Sequence, residues 1–404
     1  IAMSQGPSIR DYDRPAGGWD ALKSVARQLL KEDVGVEGAR TLLRTNQPDG
    51  FDCPGCAWPD RDHASTFEFC ENGAKAVAAE ATRRRAGPEL FAKYSVSQLA
   101  EYSDHWLESQ GRLTTPMRYD AASDHYVPTS WDEALAKAAQ ILRDNAADDL
   151  GILVHPATSN EEGALLARLA EGLGTGNLDH RIGQRDLSGD AVATPFAMPV
   201  ADIADAGTVV IVGSNLRHEV PLLHHRVRQA WRKGARVHVV NPVDFDFTFD
   251  VASKAIVAPS RIAAALGGGE LAAAVGEGER MVVILGALAE SGVHAGAIRA
   301  AAEAFATARG AALCRIPQGA NAVGLSRHGV LPASRDAQAM LREARSAYVL
   351  YGIEPGLDFA DQALALKALK GAQVVAFSQF ACASTRAVAD VILPIGALPE
   401  IDAR

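Results

Sequence analysis

The chain is short of cysteine, of positive charge and of long apolar runs, and each shortage excludes a class of protein. Five cysteines in 404 residues, an odd and sparse set, do not make a secreted disulfide framework. Lys and Arg number 40 against 49 Asp and Glu, and the net charge of −9 argues against nucleic acid as partner. The basic run Arg83, Arg84, Arg85 does not reverse that balance; it reads as one solvated helix face. No apolar stretch extends for the roughly 18 unbroken residues that a membrane-spanning helix needs. The N-terminal residues hold no apolar segment of the signal-peptide kind, so a cytoplasmic protein is expected. Ile1 and Arg404 read as cuts through longer sequence. Also missing are the G-x-G-x-x-G fingerprint, a P-loop lysine and any recognisable Ser/His/Asp arrangement.

What is present is a soluble globular composition, 48% hydrophobic and 22% charged, long enough for two or three domains. Up to about residue 148 the sequence is polar and irregular, and it carries Trp19, Trp58, Trp106 and Trp131. Beyond it, apolar runs alternate with helix-like segments. Residues 151–155, 208–212, 236–240, 281–285, 311–316, 347–352 and 373–377 read as strands, too apolar to face water on either side. Ser159 and Glu162 have capping-box spacing, and Gly174 sits where the following helix should stop. Strand, glycine, helix, glycine, strand occurs twice, once after Val212 and once after Tyr351. This predicts an α/β fold with two doubly wound, mostly parallel-sheet halves and sites at the strands' carboxyl ends.

Cys53 and Cys56, separated by Pro-Gly, have the spacing with which a tight turn points two sulfurs at one ion. A redox dithiol and a pair of structural cysteines fit the same spacing. Cys70 supplies a third thiol nearby, and Asp60 is either an iron ligand or a turn residue. The loops Gly213-Ser214-Asn215 and Gly352 to Pro355 follow strands, where backbone N–H groups can face a phosphate or merely close a turn. Asp244, Asp246 and Asp250 read as the polar edge after a strand. His224 and His225, adjacent on a helix among arginines, read as a solvated face. Cys314 and Cys382 read as core thiols.

Several segments together resemble the molybdopterin oxidoreductase superfamily. Residues from about 10 to 145, including PAGGWDALKSVARQLL, GFDCPGCAWPD and FCENGAKAVAAEATRRR, are similar to a formate-dehydrogenase-like alpha subunit. From about Gly151 onward, VGSNLRHEVPLLHHRVRQAWRKGARVHVVNP and ADVILPIGALPEIDA look like the G subunit of NADH:quinone oxidoreductase, respiratory complex I. The whole looks like a truncated hybrid of two homologous branches. The resemblance implies a small cluster-type domain over 1–110, a linking segment over 111–148 and doubly wound subdomains over 149–260 and 261–404. A further C-terminal barrel would lie beyond Arg404.

Carried over residue by residue, the resemblance makes Cys53 and Cys56 ligands of a [4Fe–4S] cluster. Asp60 stands in a cysteine position, and Cys70 is a further ligand at shorter spacing. Lys75 would relay electrons between cluster and pterin. Gly213, Ser214, Asn215, Asn241, Gly352, Glu354, Pro355 and Thr385, with Asp390 beside the last strand, match contacts to a molybdenum bis-molybdopterin guanine dinucleotide. Asn241 replaces a guanine-reading aspartate, which weakens that contact. The loop 177–190 lacks the cysteine that would bind molybdenum, and Asp186 and Ser188 are poor substitutes. The implied activity is a formate-dehydrogenase-like, two-electron oxidation of a small substrate, with electrons leaving through the cluster. The alternatives are a fragment of the complex I subunit without molybdenum and a catalytically silent binding module. Partner subunits would accept electrons, with membrane association only through them.

Overall fold

The computed structural model describes residues 18–53, 63–189, 191–268, 270–275, 280–380, 382–396, 401 and 403. Its strands, in chain order, begin with β1 (Arg85–Ala86), β2 (Arg112–Leu113), β3 (Met117–Asp120) and β4 (His125–Pro128). Then come β5 (Leu150–Val154), β6 (Leu178–Asp179), β7 (Thr208–Val212), β8 (Arg236–Asn241) and β9 (Ser253–Ile256). The last five are β10 (Met281–Leu285), β11 (Ala312–Arg315), β12 (Ala347–Tyr351), β13 (Gln373–Ser378) and β14 (Val391–Pro394).

The apolar runs became the central strands, as their composition demands. Every residue of β5, β7 and β10 is buried. The capping box at Ser159 and Glu162 starts the helix Asn160–Leu173, and Gly174 ends it in the left-handed conformation. Helices and loops cover both faces of the strands, which the continuous apolar character requires.

Two sheets result. One has seven strands in the order β4-β3-β14-β13-β12-β5-β6, antiparallel within the β3–β4 hairpin and where β3 joins β14, and parallel elsewhere. The other has five parallel strands in the order β11-β10-β7-β8-β9. The chain starts the first sheet, leaves after β6 to build all of the second, and returns at β12. The α/β class with mostly parallel sheets is therefore correct, and the two large sheets interleave along the chain. Residue 260 falls between β9 and β10, which share one sheet, because β10 pairs with β7 in register Val283 to Val210. The segment 111–148 contributes strands to the first sheet. Its hairpin is the edge of the first sheet, and the Tyr126 hydroxyl donates to the carbonyls of Arg386 and Ala389 at 2.9 and 3.0 Å.

The N-terminal part is more regular than its polar sequence suggests. It holds helices Trp19–Lys31, Gly35–Leu42, Glu71–Glu80, Pro88–Lys93, Val96–Ala100 and Asp104–Ser109. Most are too short to show a clear 3.6-residue period. Phe91, Leu99 and Leu107 share one core with Tyr348, Leu350 and Val374 of the first sheet. Leu42, Ala74 and Val77 form a small separate core with Leu29 and Phe51.

Candidate functional site

The N-terminal helices bring two cysteines together. Cys70 caps helix Glu71–Glu80, its sulfur accepting from the Gly73 N–H at 3.3 Å. A side chain on Gly73 would put its Cβ 2.9 Å from the Cys53 sulfur and 3.8 Å from that of Cys70. Both sulfurs thus flank one glycine, and the missing side chain leaves them room. Asn46 holds the loop in place: it accepts from the Cys53 N–H at 2.8 Å and donates to the Glu68 carbonyl at 2.6 Å. Gln47 exchanges two hydrogen bonds with the backbone of Ser65. Neither Asn46 nor Gln47 carries a sequence signal beyond lying in a turn-rich stretch. Cys56 and Asp60 lie outside the described residues. Lys75 pairs with Glu71 at 2.7 Å, one helical turn back.

Each sheet has a point where successive connections run in opposite directions, and such points are where α/β sheets bind ligands. In the five-stranded sheet it lies between β7 and β10. The chain leaves β7 through Gly213, whose φ of +58° suits glycine. Asn241, at the end of β8, clamps this loop. Its side chain accepts from the Ser214 N–H at 2.8 Å and donates to the Ser214 carbonyl at 2.9 Å, and both residues are fully buried. The expected cofactor contacts at Ser214 and Asn241 are thus engaged with each other. Glu219 closes the remaining gap: its carboxylate accepts from the Ala287 N–H at 2.7 Å and from the Ser214 hydroxyl at 2.5 Å. Burial raises the Glu219 carboxyl above its ordinary range, and those two hydrogen bonds only partly oppose it. The buried Asn215 Oδ1 has no hydrogen-bond partner.

In the seven-stranded sheet the equivalent point lies between β5 and β12. His155 follows β5, and Gly352 follows β12 with φ of +68°. The Gly352 N–H donates to the Phe377 carbonyl, that of Glu354 to Asp358 Oδ2, and that of Gly356 to the Ser384 hydroxyl. Pro355 is buried, and Thr385 is fully buried with its hydroxyl 2.8 Å from the Cys382 sulfur. Burial, and secondarily the charge of Glu354, raises the Cys382 thiol. Burial lowers the His155 imidazole against the pull of Asp358. Asp390 accepts from the Val374 N–H at 2.7 Å and ties β13 to its neighbour.

The described part of the loop 177–190 is tied to its neighbours by several hydrogen bonds. Asp179 holds Arg181 through two contacts and accepts from the Ala337 N–H. Asp186 accepts from the Gly296 N–H at 2.8 Å and from Ser188, so both are spent on the start of helix Ala295–Arg309. Below them lies a buried ion cluster in which Glu290 binds Arg299 at 3.2 Å and Arg315 at 2.6 Å.

His224 corrects one expectation. It is buried, stacked on Phe247 and Phe249, and burial pushes its imidazole down to about 4. Phe247 and Phe249 stack on each other on one side of the aspartate-bearing loop, and the helix turns His224 onto them while His225 stays exposed. Asp244, Asp246 and Asp250 are exposed, and Asp244 pairs with Lys254. Cys314 is a core thiol, raised to about 11 by burial.

A cleft of about 660 Å³ opens at the carboxyl ends of the second sheet. Glu219 and Ala287 from its switch point line it, with Gln318 after β11 and Gly183 after β6. Asp52 and Cys53 reach it from the N-terminal part. The thiol corner and the strand-end crevice therefore meet in one place.

Residues 112–402 match the family described as Molybdopterin oxidoreductase. Protein YdeP of Escherichia coli (strain K12) is 34% identical over 242 residues, which cover 58% of this chain and 32% of YdeP. The NADH-quinone oxidoreductase G subunit of Mycobacterium tuberculosis (strain CDC 1551 / Oshkosh) is 27% identical over 400 residues, 83% of this chain and 48% of that protein. The chain spans about a third to a half of the length of these curated relatives. Acetylene hydratase from Pelobacter acetylenicus, a solved structure, shares the fold with a TM-score of 0.53 at 14% identity, covering 73% of this chain and 56% of that one. The matched segment takes in the hairpin, both sheets and both switch points, and on that ground the chain belongs to the molybdopterin oxidoreductase family.

Proposed function

We propose that the chain is an electron-transferring part of a molybdopterin-family oxidoreductase, with an iron–sulfur cluster on its formate-dehydrogenase-like N-terminal part. Cys53, Cys56 and Cys70 would hold the cluster, with Asp60 as a fourth, oxygen ligand. The observation that carries this reading is the convergence of the Cys53 and Cys70 sulfurs on Gly73. Thiolates suit iron, and the start of a helix favours their negative charge. Such a cluster passes single electrons. The chain's own residues keep the site in shape: Asn46 fixes the Cys53 loop, and Gly73 leaves the sulfurs space. Lys75, tied to Glu71, would hold positive charge near the cluster.

The family name implies a molybdenum–pterin cofactor, and the described residues do not fit its dinucleotide form as they stand. A guanine dinucleotide brings phosphates, which ask for cations or free N–H donors. Neither Lys nor Arg is among the described residues lining the cleft, and Glu219 places a carboxylate there. Ser214 and Asn241 are locked together, and Glu354 and Gly356 spend their N–H groups within the protein. This favours a second reading, a role like that of the NADH-quinone oxidoreductase relative, electron transfer or structural, without molybdenum. Partner subunits would then supply and accept the electrons.

Iron, sulfide and molybdenum analysis of anaerobically prepared protein tests both readings. Iron and sulfide without molybdenum are expected. Molybdenum near one per chain would restore the two-electron oxidation of a small substrate. Cys53→Ser and Cys70→Ser should each lose iron while Cys314→Ser keeps it. Full iron in Cys70→Ser overturns the ligand set. No iron at all after anaerobic reconstitution leaves a silent fold.

A further inference from the structure

The cleft has a chemical character of its own, whether or not Cys53 holds iron. At about 660 Å³ it is of small-molecule size. Its wall is mostly apolar, with Phe196, Val200, Val220, Leu222, Ile316 and Val323 facing the space. The charged groups among its described lining residues are Asp52 and Glu219, both acidic.

Its polar side chains are largely bonded to one another or to the backbone, and its charged groups are acceptors. The Ser291 hydroxyl donates to Gln318 Oε1 at 3.1 Å, and Gln318 Nε2 donates to the Ile316 carbonyl at 2.8 Å. The Glu219 carboxylate takes two hydrogen bonds from the protein and has lone pairs for more. A phosphate, sulfonate or carboxylate would find no Lys or Arg among the described lining residues and would face Glu219. A neutral apolar molecule would bury its surface on the wall and satisfy an acceptor with an N–H or O–H.

We propose that this cleft binds a neutral, mostly apolar small molecule bearing a hydrogen-bond donor, and that Glu219 is the residue that excludes anionic ligands. The family's dinucleotide-type ligand is thereby rejected at this half of the fold, and a different ligand class is accepted.

The test uses two apolar fluorescent probes of opposite character, neutral Nile red and anionic anilinonaphthalene sulfonate, titrated into the whole chain. Nile red should saturate at one site per chain, and the sulfonate should bind at least about tenfold more weakly, as expected for an anion facing an uncompensated carboxylate. Glu219→Gln should remove most of that difference. Val323→Trp, which fills the cleft, should abolish Nile red binding. Leu222→Lys keeps the proposal testable should Glu219→Gln fail to fold, since its stem can lie along the apolar wall. It should invert the preference. Melting curves establish that each variant is folded. Equal affinity of the wild-type chain for both probes, or Nile red binding that survives Val323→Trp, overturns the proposal. An unchanged preference in both charge variants does the same.

Discussion

Replacing Gly73 by alanine separates the two things this glycine does. In a helix, alanine is better than glycine by about 0.5–1 kcal/mol, so propensity alone predicts a gain. Against it stands the new Cβ, 2.9 Å from the Cys53 sulfur. Ordinary contact between such atoms lies near roughly 3.5–4.0 Å, so the sulfur must retreat by on the order of 1 Å. Cys53 is only partly buried, so the loop can yield, and the metal-free protein should lose no more than about 1–2 kcal/mol. A metal centre is less tolerant. Its ligand distances hold to within about 0.2 Å, and a displaced Cys53 cannot keep them. Gly73→Ala should therefore unfold in urea near the wild-type midpoint yet bind well under half the wild-type iron. Gly172→Ala serves as control. That glycine lies exposed in helix Asn160–Leu173 with nothing within 4 Å of its added Cβ, so stability should rise and iron should stay. Iron and sulfide per chain after identical anaerobic reconstitution is the assay. A Gly73→Ala chain with full iron and an unchanged spectrum would refute the placement of both thiolates at this corner.

Three further outcomes follow from other parts of the molecule. Glu290→Gln takes the shared counter-charge from Arg299 and Arg315, although Arg299 keeps the Asp186 and Ser188 carbonyls, and should cost about 3 kcal/mol in urea unfolding; a loss below about 1 kcal/mol would contradict a closed ion cluster. Tyr126→Phe leaves two buried carbonyls without their donor and should cost about 1–2 kcal/mol, with little change if water takes its place. His224 has a folded-state value near 4, below its unfolded value, so the unfolded chain takes up its proton first as pH falls. Its contribution to stability is complete above the unfolded value and is lost between about pH 6.5 and 4. His224→Phe keeps the stacking on Phe247 and Phe249 and should flatten that part of the melting-temperature profile; an equal slope in both proteins would exclude His224 as its source.

The strands were legible because burial on both faces writes itself as an unbroken apolar run. Thr208–Val212 and Met281–Leu285 show no polar alternation, and the capping box at Ser159 fixed a helix start to the residue. Pairing was not legible. Nothing in Leu150–Val154 says that its partner is Ala347–Tyr351 rather than Thr208–Val212, since all three are equally apolar. The candidate site shows the same limit. Cys53 stood out by spacing, but its meeting with Cys70 depends on Asn46 and Gly73, whose roles come from tertiary contact. Glu219 gave no signal at all. A single glutamate after a strand is ordinary until Ala287, distant in sequence, supplies the N–H that fixes it.

The placement of the second sheet inside the first also orders the assembly of the molecule. All five strands of the inner sheet lie in one continuous stretch, so it can close on local connections as it leaves the ribosome. Leu153 must wait for Leu350, synthesised only after that entire sheet. During this interval β5 presents an apolar, unpaired edge to its surroundings. Folding rate and aggregation should therefore be set by the outer sheet, and a chain arrested before Ala347 should hold a finished inner sheet beside an open one.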